Sequence, residues 1–233
     1  MVLGPGEWSS ADLAGRVAVV IDVLRATTTV TTALANGAAA VIPFADLEEC
    51  RAHREKEPDV LLGGEREGVR PPGYDLGNSP LEYTAERVFG RRIAYTTTNG
   101  TRALAACRGA EEVLLGALVN RRAIAERLAS GGRDATLVCA GKNGRPNLED
   151  TFCAGAIIDM LDRLSADGVD LSDRARIALA VFRGQDAGSV LARCEHGRTL
   201  AGLGFGEDVD HCGRVDVVGA VGVLENGEIH AAH

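Results

Sequence analysis

Residues 95–102 read YTTTNGTR. The segment places the hydroxyls of Thr96, Thr97, Thr98 and Thr101, the amide of Asn99 and the guanidinium of Arg102 between an apolar strand pattern and an Ala-rich helical one that starts at Ala103. Backbone amides at a helix start, hydroxyls and a guanidinium are the donors that hold a phosphate or a similar small anion. Each residue also has an ordinary local explanation, since Thr suits strands and Asn-Gly makes turns. Their concentration in one loop is what points to an anion. A second group of residues supplies acids. Asp22 closes the apolar run VAVVID and is followed by Arg25 and by Thr27, Thr28 and Thr29. A carboxylate there suits a hard divalent cation or a nucleophile, with Arg25 facing phosphate oxygens.

Further acids come from two other segments. Glu149 and Asp150 follow a strand-like run at 136–139 and the loop AGKNGRPN, close to Lys142 and Asn143. Adjacent carboxylates at a loop-to-helix junction suit a magnesium and phosphate site, and equally complement a helix dipole behind an Asn147 cap. The Gly- and Pro-rich stretch 63–80 contributes Glu65, Asp75 and Asn78, whose oxygens complete a metal shell if that loop folds over the others. His196, in the polar run CEHGR, is the imidazole best suited to proton transfer, and a surface or capping histidine explains it equally well. His230 and His233 sit at the tail and are set aside.

These loops need strands and helices to hold them. Residues 17–35, 93–106 and 136–161 each pass from an apolar or β-branched strand through a polar turn into a small-residue helix. The run VAVVID lacks the alternation of a half-exposed strand, which predicts a strand covered on both faces and hence a parallel sheet with helices outside it. In such sheets ligands gather beyond the carboxyl ends of the strands, where Asp22 and the Thr-rich loop begin. Helical patterns follow at 174–182 and from 189. The tail carries a strand-like 215–224 and a hairpin signal at Asn226-Gly227. The expected fold class is α/β: three layers, α/β/α, with a largely parallel sheet and a mainly helical C-terminal part. A single domain over 1–233 is expected, with a subdomain from about 162 to 233 as a variant of that plan.

Composition narrows the function. The 25 basic and 33 acidic residues give a net charge of −8. That balance argues against nucleic acid or an acidic membrane as a partner and makes any anion site local. No apolar run approaches the roughly 20 residues of a membrane helix, and the N-terminus lacks a basic start followed by an apolar segment. A cytoplasmic protein is expected. The cysteines at 50, 107, 139, 153, 194 and 212 form no CxxC pair and read as reduced thiols. The chain carries no GxxxxGK[ST], GxSxG or GxGxxG motif, so the common nucleotidase, hydrolase and dinucleotide readings lose support.

Taken in order, VVIDVLRATTTV at 19–30, GGERE at 63–67, PPGYDLGNSP at 71–80, TTTNGTRAL at 96–104 and LEDTFCAG at 148–155 resemble the 2-phosphosulfolactate phosphatase family, the ComB-like proteins. A looser likeness continues through HGRTLAGLGFGEDVDHC at 196–212, while GKNGRPN at 141–147 brings Lys and Arg where a more neutral turn is expected. The resemblance implies a magnesium-dependent phosphatase that converts (2R)-2-phospho-3-sulfolactate to 3-sulfolactate and phosphate on the route to coenzyme M, or that acts on a related 2-hydroxy-acid phosphate ester. It implies a site lined by Asp22, Arg25, Glu65, Asp75, Asn78, Thr97, Asn99, Gly100, Thr101, Arg102, Glu149 and Asp150. Combined with the residue chemistry, this yields a working assignment. Asp22, Arg25, Arg102 and Glu149 are expected to be catalytic. Thr97, Thr98, Asn99, Gly100, Thr101 and Asn78 are expected to bind substrate, and Asp22, Glu65, Glu149 and Asp150 to supply oxygens for Mg²⁺. The expected partner is a small phosphate ester, and the chain is compatible with a homo-oligomer. The competing expectation is a non-catalytic module that binds a phosphorylated or sulfonated acid through the same loops.

Overall fold

The structure, a computed structural model, describes residues 13–232; the N-terminal stretch through residue 12 and His233 lie outside the described residues. Strand β1 (Val17–Ile21) is buried along its whole length. Its odd-numbered side chains Val17, Val19 and Ile21 join one core, and Ala18 and Val20 join another on the opposite face of the sheet. This is why the sequence shows an unbroken apolar run: both faces are covered, and each buried Val or Ile contributes roughly 1.5–3 kcal/mol. Helix α1 (Ala26–Ala35) packs Val30, Ala33 and Leu34 on the second face. The chain continues through β2 (Ala40–Pro43), α2 (Leu47–Lys56), β3 (Leu61–Gly64), a short α3 (Ala85–Val88), β4 (Arg92–Thr96), α4 (Gly100–Ala106), β5 (Glu112–Gly116), α5 (Arg121–Gly131) and β6 (Ala135–Cys139). Helix α6 (Leu148–Leu164) then lays Phe152, Cys153, Ala156 and Ile157 on the first face, beside Ile124 and Leu128 of α5.

Among the described residues, and with β7 (Val221–Glu225) and β8 (Glu228–Ala232) of the tail, the sheet has eight strands in the order β3-β4-β2-β8-β7-β5-β1-β6. It consists of two parallel groups, β3-β4-β2 and β5-β1-β6, joined by the antiparallel hairpin of β7 and β8. Helices on both faces complete the three-layer α/β arrangement. The tail therefore supplies strands from the middle of the sheet, and residues 215–220, expected as strand, are irregular. There Asp216 instead accepts from Arg121 and from the Arg122 amide. The hairpin turn is the one its residues predict, since Asn226 and Gly227 both take positive φ, 51° and 88°. Between α6 and this hairpin the chain is helical: α7 (Asp173–Phe182), α8 (Ala187–Arg193), α9 (Glu195–Gly202) and α10 (Gly206–Cys212). Ala178, Val190, Leu191, Leu200 and Val209 attach them to the first core. All six cysteines are buried free thiols. Among the described residues no helix is long and apolar enough to cross a membrane.

Candidate active site

Strands β1 and β6 run parallel and end side by side, whereas β4 belongs to the other parallel group, which the three antiparallel pairings of the hairpin set in the opposite direction; the loops that follow all three nevertheless line one cavity. Asp22 is the first residue beyond β1 and is buried. Its backbone is held from both sides, because its amide donates to Thr27 Oγ1 at 3.2 Å and its carbonyl accepts the Thr27 amide at 3.0 Å. The hydroxyls of Thr28 and Thr29 donate to the carbonyls of Val23 and Asn78, both at 2.8 Å. These threonines thus shape the loop and fasten it to the segment 64–80. The Leu24–Arg25 peptide is cis.

The Thr-rich loop after β4 lies directly against Asp22. A methyl group on Gly100 would come within 2.9 Å of Asp22 Oδ2 and 2.7 Å of Ala26 Cβ, so a residue without a side chain is needed there. Thr97 and Thr101 close the turn on themselves: the Thr101 amide donates to Thr97 Oγ1 at 3.3 Å, and Thr101 Oγ1 donates to the Thr97 carbonyl at 2.8 Å. Glu65 stitches this loop to its neighbour by accepting from the Thr98 and Gly68 amides, both at 2.8 Å. Gly64, at φ 131°, permits that approach, since a side chain there would collide with the Thr96 carbonyl. Asn78 accepts a short hydrogen bond at Oδ1 from the Tyr95 hydroxyl. That bond fixes the amide's orientation and leaves its NH₂ as the free donor.

A cavity of about 460 Å³ opens over these groups, lined by the acids Asp22, Glu65 and Glu67 and by Arg25, Asn78, Thr97, Thr98, Asn99, Lys142 and His196. Glu149 and Asp150 sit in the first turn of α6, behind this wall. Asp150 is fully engaged as a clamp: Oδ1 accepts the Val23 amide at 2.9 Å, and Oδ2 accepts the Gly141 amide at 3.1 Å and Asn147 Nδ2 at 2.9 Å. Glu149 Oε1 accepts from Asn147 at 3.1 Å and lies 3.6 Å from His196 Nδ1. The site is therefore crowded with buried carboxyls. Burial, then the charges of Asp150, Glu65 and Glu149, push the Asp22 carboxyl well above the usual carboxylate range against the opposing Ala26 amide. Burial and the neighbouring Glu149 push Asp150 up to about 7, although its three donors pull the other way. Burial pushes Glu149 upward too, but the hydrogen bond and charge of His196, together with hydrogen bonds from its own backbone amide and from Cys194, outweigh it and hold this carboxyl below its ordinary value.

Besides Glu149 and Asp150, four residues expected at the site are placed differently. Arg102 is exposed and does not line the cavity. Helix α4 buries Gly100, Thr101, Ala103 and Leu104, and that stripe turns position 102 outward. Replacing Arg102 with alanine is expected to change kcat/KM less than about threefold, as read from steady-state phosphate release; a drop beyond about thirtyfold contradicts this placement. Gly100 and Thr101 support the cavity from behind, as turn residues. Asp75 accepts from the Leu62 amide at 2.8 Å and from Arg54 at 2.7 Å, and so anchors the segment 64–80 to α2 and β3 away from the cavity. His196 does reach the cavity, and Asp208 of α10, absent from the expected set, is the partner of Arg25 at 2.6 Å. A buried arginine requires such a carboxylate somewhere in the fold, but nothing in the sequence says which one.

A hard divalent cation is the group the resemblance implies, and the oxygen donors suit it. Among the described residues no three acid, histidine or cysteine side chains converge as a ready-made cage. Mg²⁺ commonly takes only one or two carboxylates and completes its octahedron with waters and substrate phosphate. Asp22, which has mutually repelling acids around it and no basic side chain bonded to it, fits that demand, with Glu65 beside it at the cavity wall.

The family model described as 2-phosphosulpholactate phosphatase matches residues 3–227. A protein of Symbiobacterium thermophilum named probable 2-phosphosulfolactate phosphatase is 44% identical over 225 residues, covering 94% of this chain and 95% of its own. One of Deinococcus radiodurans with the same name is 46% identical over 215 residues, covering 91% and 89%. Another, of Clostridium acetobutylicum, is 35% identical over 232 residues and covers 98% of both chains. With the model and these relatives spanning nearly all of its length, the chain belongs to the 2-phosphosulfolactate phosphatase family.

Proposed function

We propose that this chain is a Mg²⁺-dependent phosphatase acting on (2R)-2-phospho-3-sulfolactate, or on a closely related 2-hydroxy-acid phosphate ester, and releasing inorganic phosphate and the free hydroxy acid. The observation that carries this reading is a cavity lined by an acidic pole, Asp22 and Glu65, together with a set of hydrogen-bond donors. A dianionic phosphoryl group needs donors for its oxygens and a cation between itself and the carboxylates. Asp22 and Glu65 would hold that cation, with Glu149 and Asp150 adding negative charge behind them. When bound, Mg²⁺ supplies a Lewis acid for a phosphoryl oxygen.

The chain's own residues do the rest. Arg25, the free NH₂ of Asn78 and the Thr97–Asn99 turn offer hydrogen bonds to the phosphoryl oxygens, and their fixed partners hold them ready before substrate arrives. Lys142 and His196 also line the cavity and would meet the part of the ester that carries the carboxylate and sulfonate. Lys142 pairs with Glu195 at 3.1 Å, a half-exposed contact that an incoming anion can replace at small cost. The test is phosphate release from a panel of 2-phospho acids with and without Mg²⁺. Release from phosphosulfolactate at a kcat/KM at least about tenfold above phospholactate and phosphoglycerate is expected. Tight binding of these esters with no release, at saturating Mg²⁺, refutes the enzymatic reading and leaves a binding module.

A further inference from the structure

The guanidinium at the cavity wall is not held by its own loop. Arg25 reaches across the rim, its side chain only 1% exposed, and donates from Nη1 to Asp208 Oδ2 at 2.6 Å and from Nη2 to the Gly68 carbonyl at 2.5 Å. Its charged plane lies 4.4 Å over the Phe205 ring. The other oxygen of Asp208 accepts the Ser79 hydroxyl at 2.6 Å. One buried carboxylate on α10 thus ties the loop after β1 to the residue next to Asn78, and Arg25 itself bonds the Gly68 carbonyl of the segment 64–80. Arg25, Gly68 and Asn78 all line the cavity, whereas Asp208 does not.

An arginine side chain has many rotamers, and a phosphate site that had to freeze them on each binding event would lose affinity and precision. Here the freezing is done in advance by Asp208, Gly68 and the ring of Phe205. Two of the five guanidinium N–H groups go to these partners, and the residue still lines the cavity. We propose that Asp208 is a positioning residue of the phosphatase reaction. It sets the plane of the Arg25 guanidinium and, through Ser79, the place of Asn78, so that both meet the phosphoryl oxygens. The inference rests on the phosphatase reading of this cavity and adds to it a role for the C-terminal helices.

The experiment measures inorganic phosphate binding by calorimetry, together with kcat and KM, for wild type, Asp208→Asn, Asp208→Glu and Ser79→Ala, with thermal melts of each. Asp208→Asn keeps the size of the side chain and an acceptor for Ser79, but loses the charge that holds Arg25. It is expected to weaken phosphate binding about tenfold and to lower kcat/KM about a hundredfold, chiefly through kcat. Ser79→Ala should show a smaller change of the same kind, about threefold in phosphate affinity, and Asp208→Glu a partial recovery relative to Asp208→Asn. If Asp208→Asn does not fold, Ser79→Ala decides. Folded variants with phosphate affinity and kcat/KM within about twofold of wild type overturn the proposal, even if their melting temperatures fall, because that pattern belongs to a purely structural ion pair. A wild type that binds phosphate and loses it in Asp208→Asn but hydrolyses no ester sinks the phosphatase reading alone and retains Asp208 as the organiser of an anion site. A wild type with neither phosphate binding nor hydrolysis overturns both.

Discussion

Replacing Asp22 with asparagine is expected to lower kcat/KM by at least about a thousandfold, close to 4 kcal/mol of transition-state stabilisation, while making the cation-free protein more stable at pH 8. The two effects have one cause. Asp22 is a buried carboxyl whose ionised form is opposed by burial and by Asp150, Glu65 and Glu149, with only the Ala26 amide in its favour. Without a cation this ionisation destabilises the fold, and an amide of nearly the same shape removes that cost. A group that strains the structure in this way is what a catalytic centre retains and a structural core does not. A gain of about 1–2 kcal/mol corresponds to a melting temperature higher by roughly 3–8 °C for a chain of this size. Steady-state phosphate release and thermal melts in chelator at pH 8 check both halves. Activity within tenfold of wild type would remove Asp22 from the chemistry, and a lower melting temperature would contradict the electrostatic account.

Removing divalent cation should cost at least about a hundredfold in activity, and the stabilisation conferred by Mg²⁺ should grow with pH. Asp150 has a folded pKa of about 7 against a reference value of 3.8, raised first by burial and next by Glu149. A carboxyl whose pKa rises on folding contributes stability that is fully present below the unfolded value, about 4, and is lost as pH climbs through about 7. Asp22 is shifted in the same direction and adds to the same loss. For Asp150 the shift amounts to roughly 4 kcal/mol in the cation-free state. Glu149 runs the other way: its lowered pKa contributes stability present above about 4 and lost on further acidification. A bound cation offsets the repulsion only once the acids are ionised. Mg²⁺ at about a hundred times its Kd, worth roughly 2.7 kcal/mol, should therefore raise the melting temperature by about 5–10 °C at pH 8 and by less than about 2 °C at pH 5. Equal shifts at both pH values, or full activity in chelator, would show that the acidic pole holds no cation.

The elements of this protein were largely readable from local pattern. The unbroken run at 17–21 became the doubly covered strand β1, because burial on both faces removes any need for polar alternation. Asn226 and Gly227 formed their turn because few other residues accept positive φ at two successive positions. The loops carrying Asp22, Glu65, Asn78 and Thr97–Asn99 were expected to meet because their residue types serve a phosphate and a cation, and they do line one cavity, although β1 and β4 run in opposite directions and not to a common rim. Arg102 was misplaced for a reason that lies outside its own loop. The donors of residues 95–102 look equivalent in sequence, but α4 must bury Gly100, Ala103 and Leu104 against the sheet, and that rotation sends the guanidinium to solvent.

The chain's residue types alone determined which chemistry is possible in this cavity: oxygen ligands and hydrogen-bond donors in strand-to-helix loops. Only the tertiary structure decided which of those groups are free to use it. Asp150 is consumed by the Val23 and Gly141 amides, Asp75 by Arg54 and Leu62, and Arg25 is aimed by an aspartate 183 residues further along the chain. Likewise the β7–β8 hairpin lies between β2 and β5 because it fills the gap between two parallel groups of strands, a neighbour relation with no local signature. Spacing along a chain reports periodicity and turn chemistry over a few residues; the assignment of a buried charge to its partner is made by packing across the whole fold.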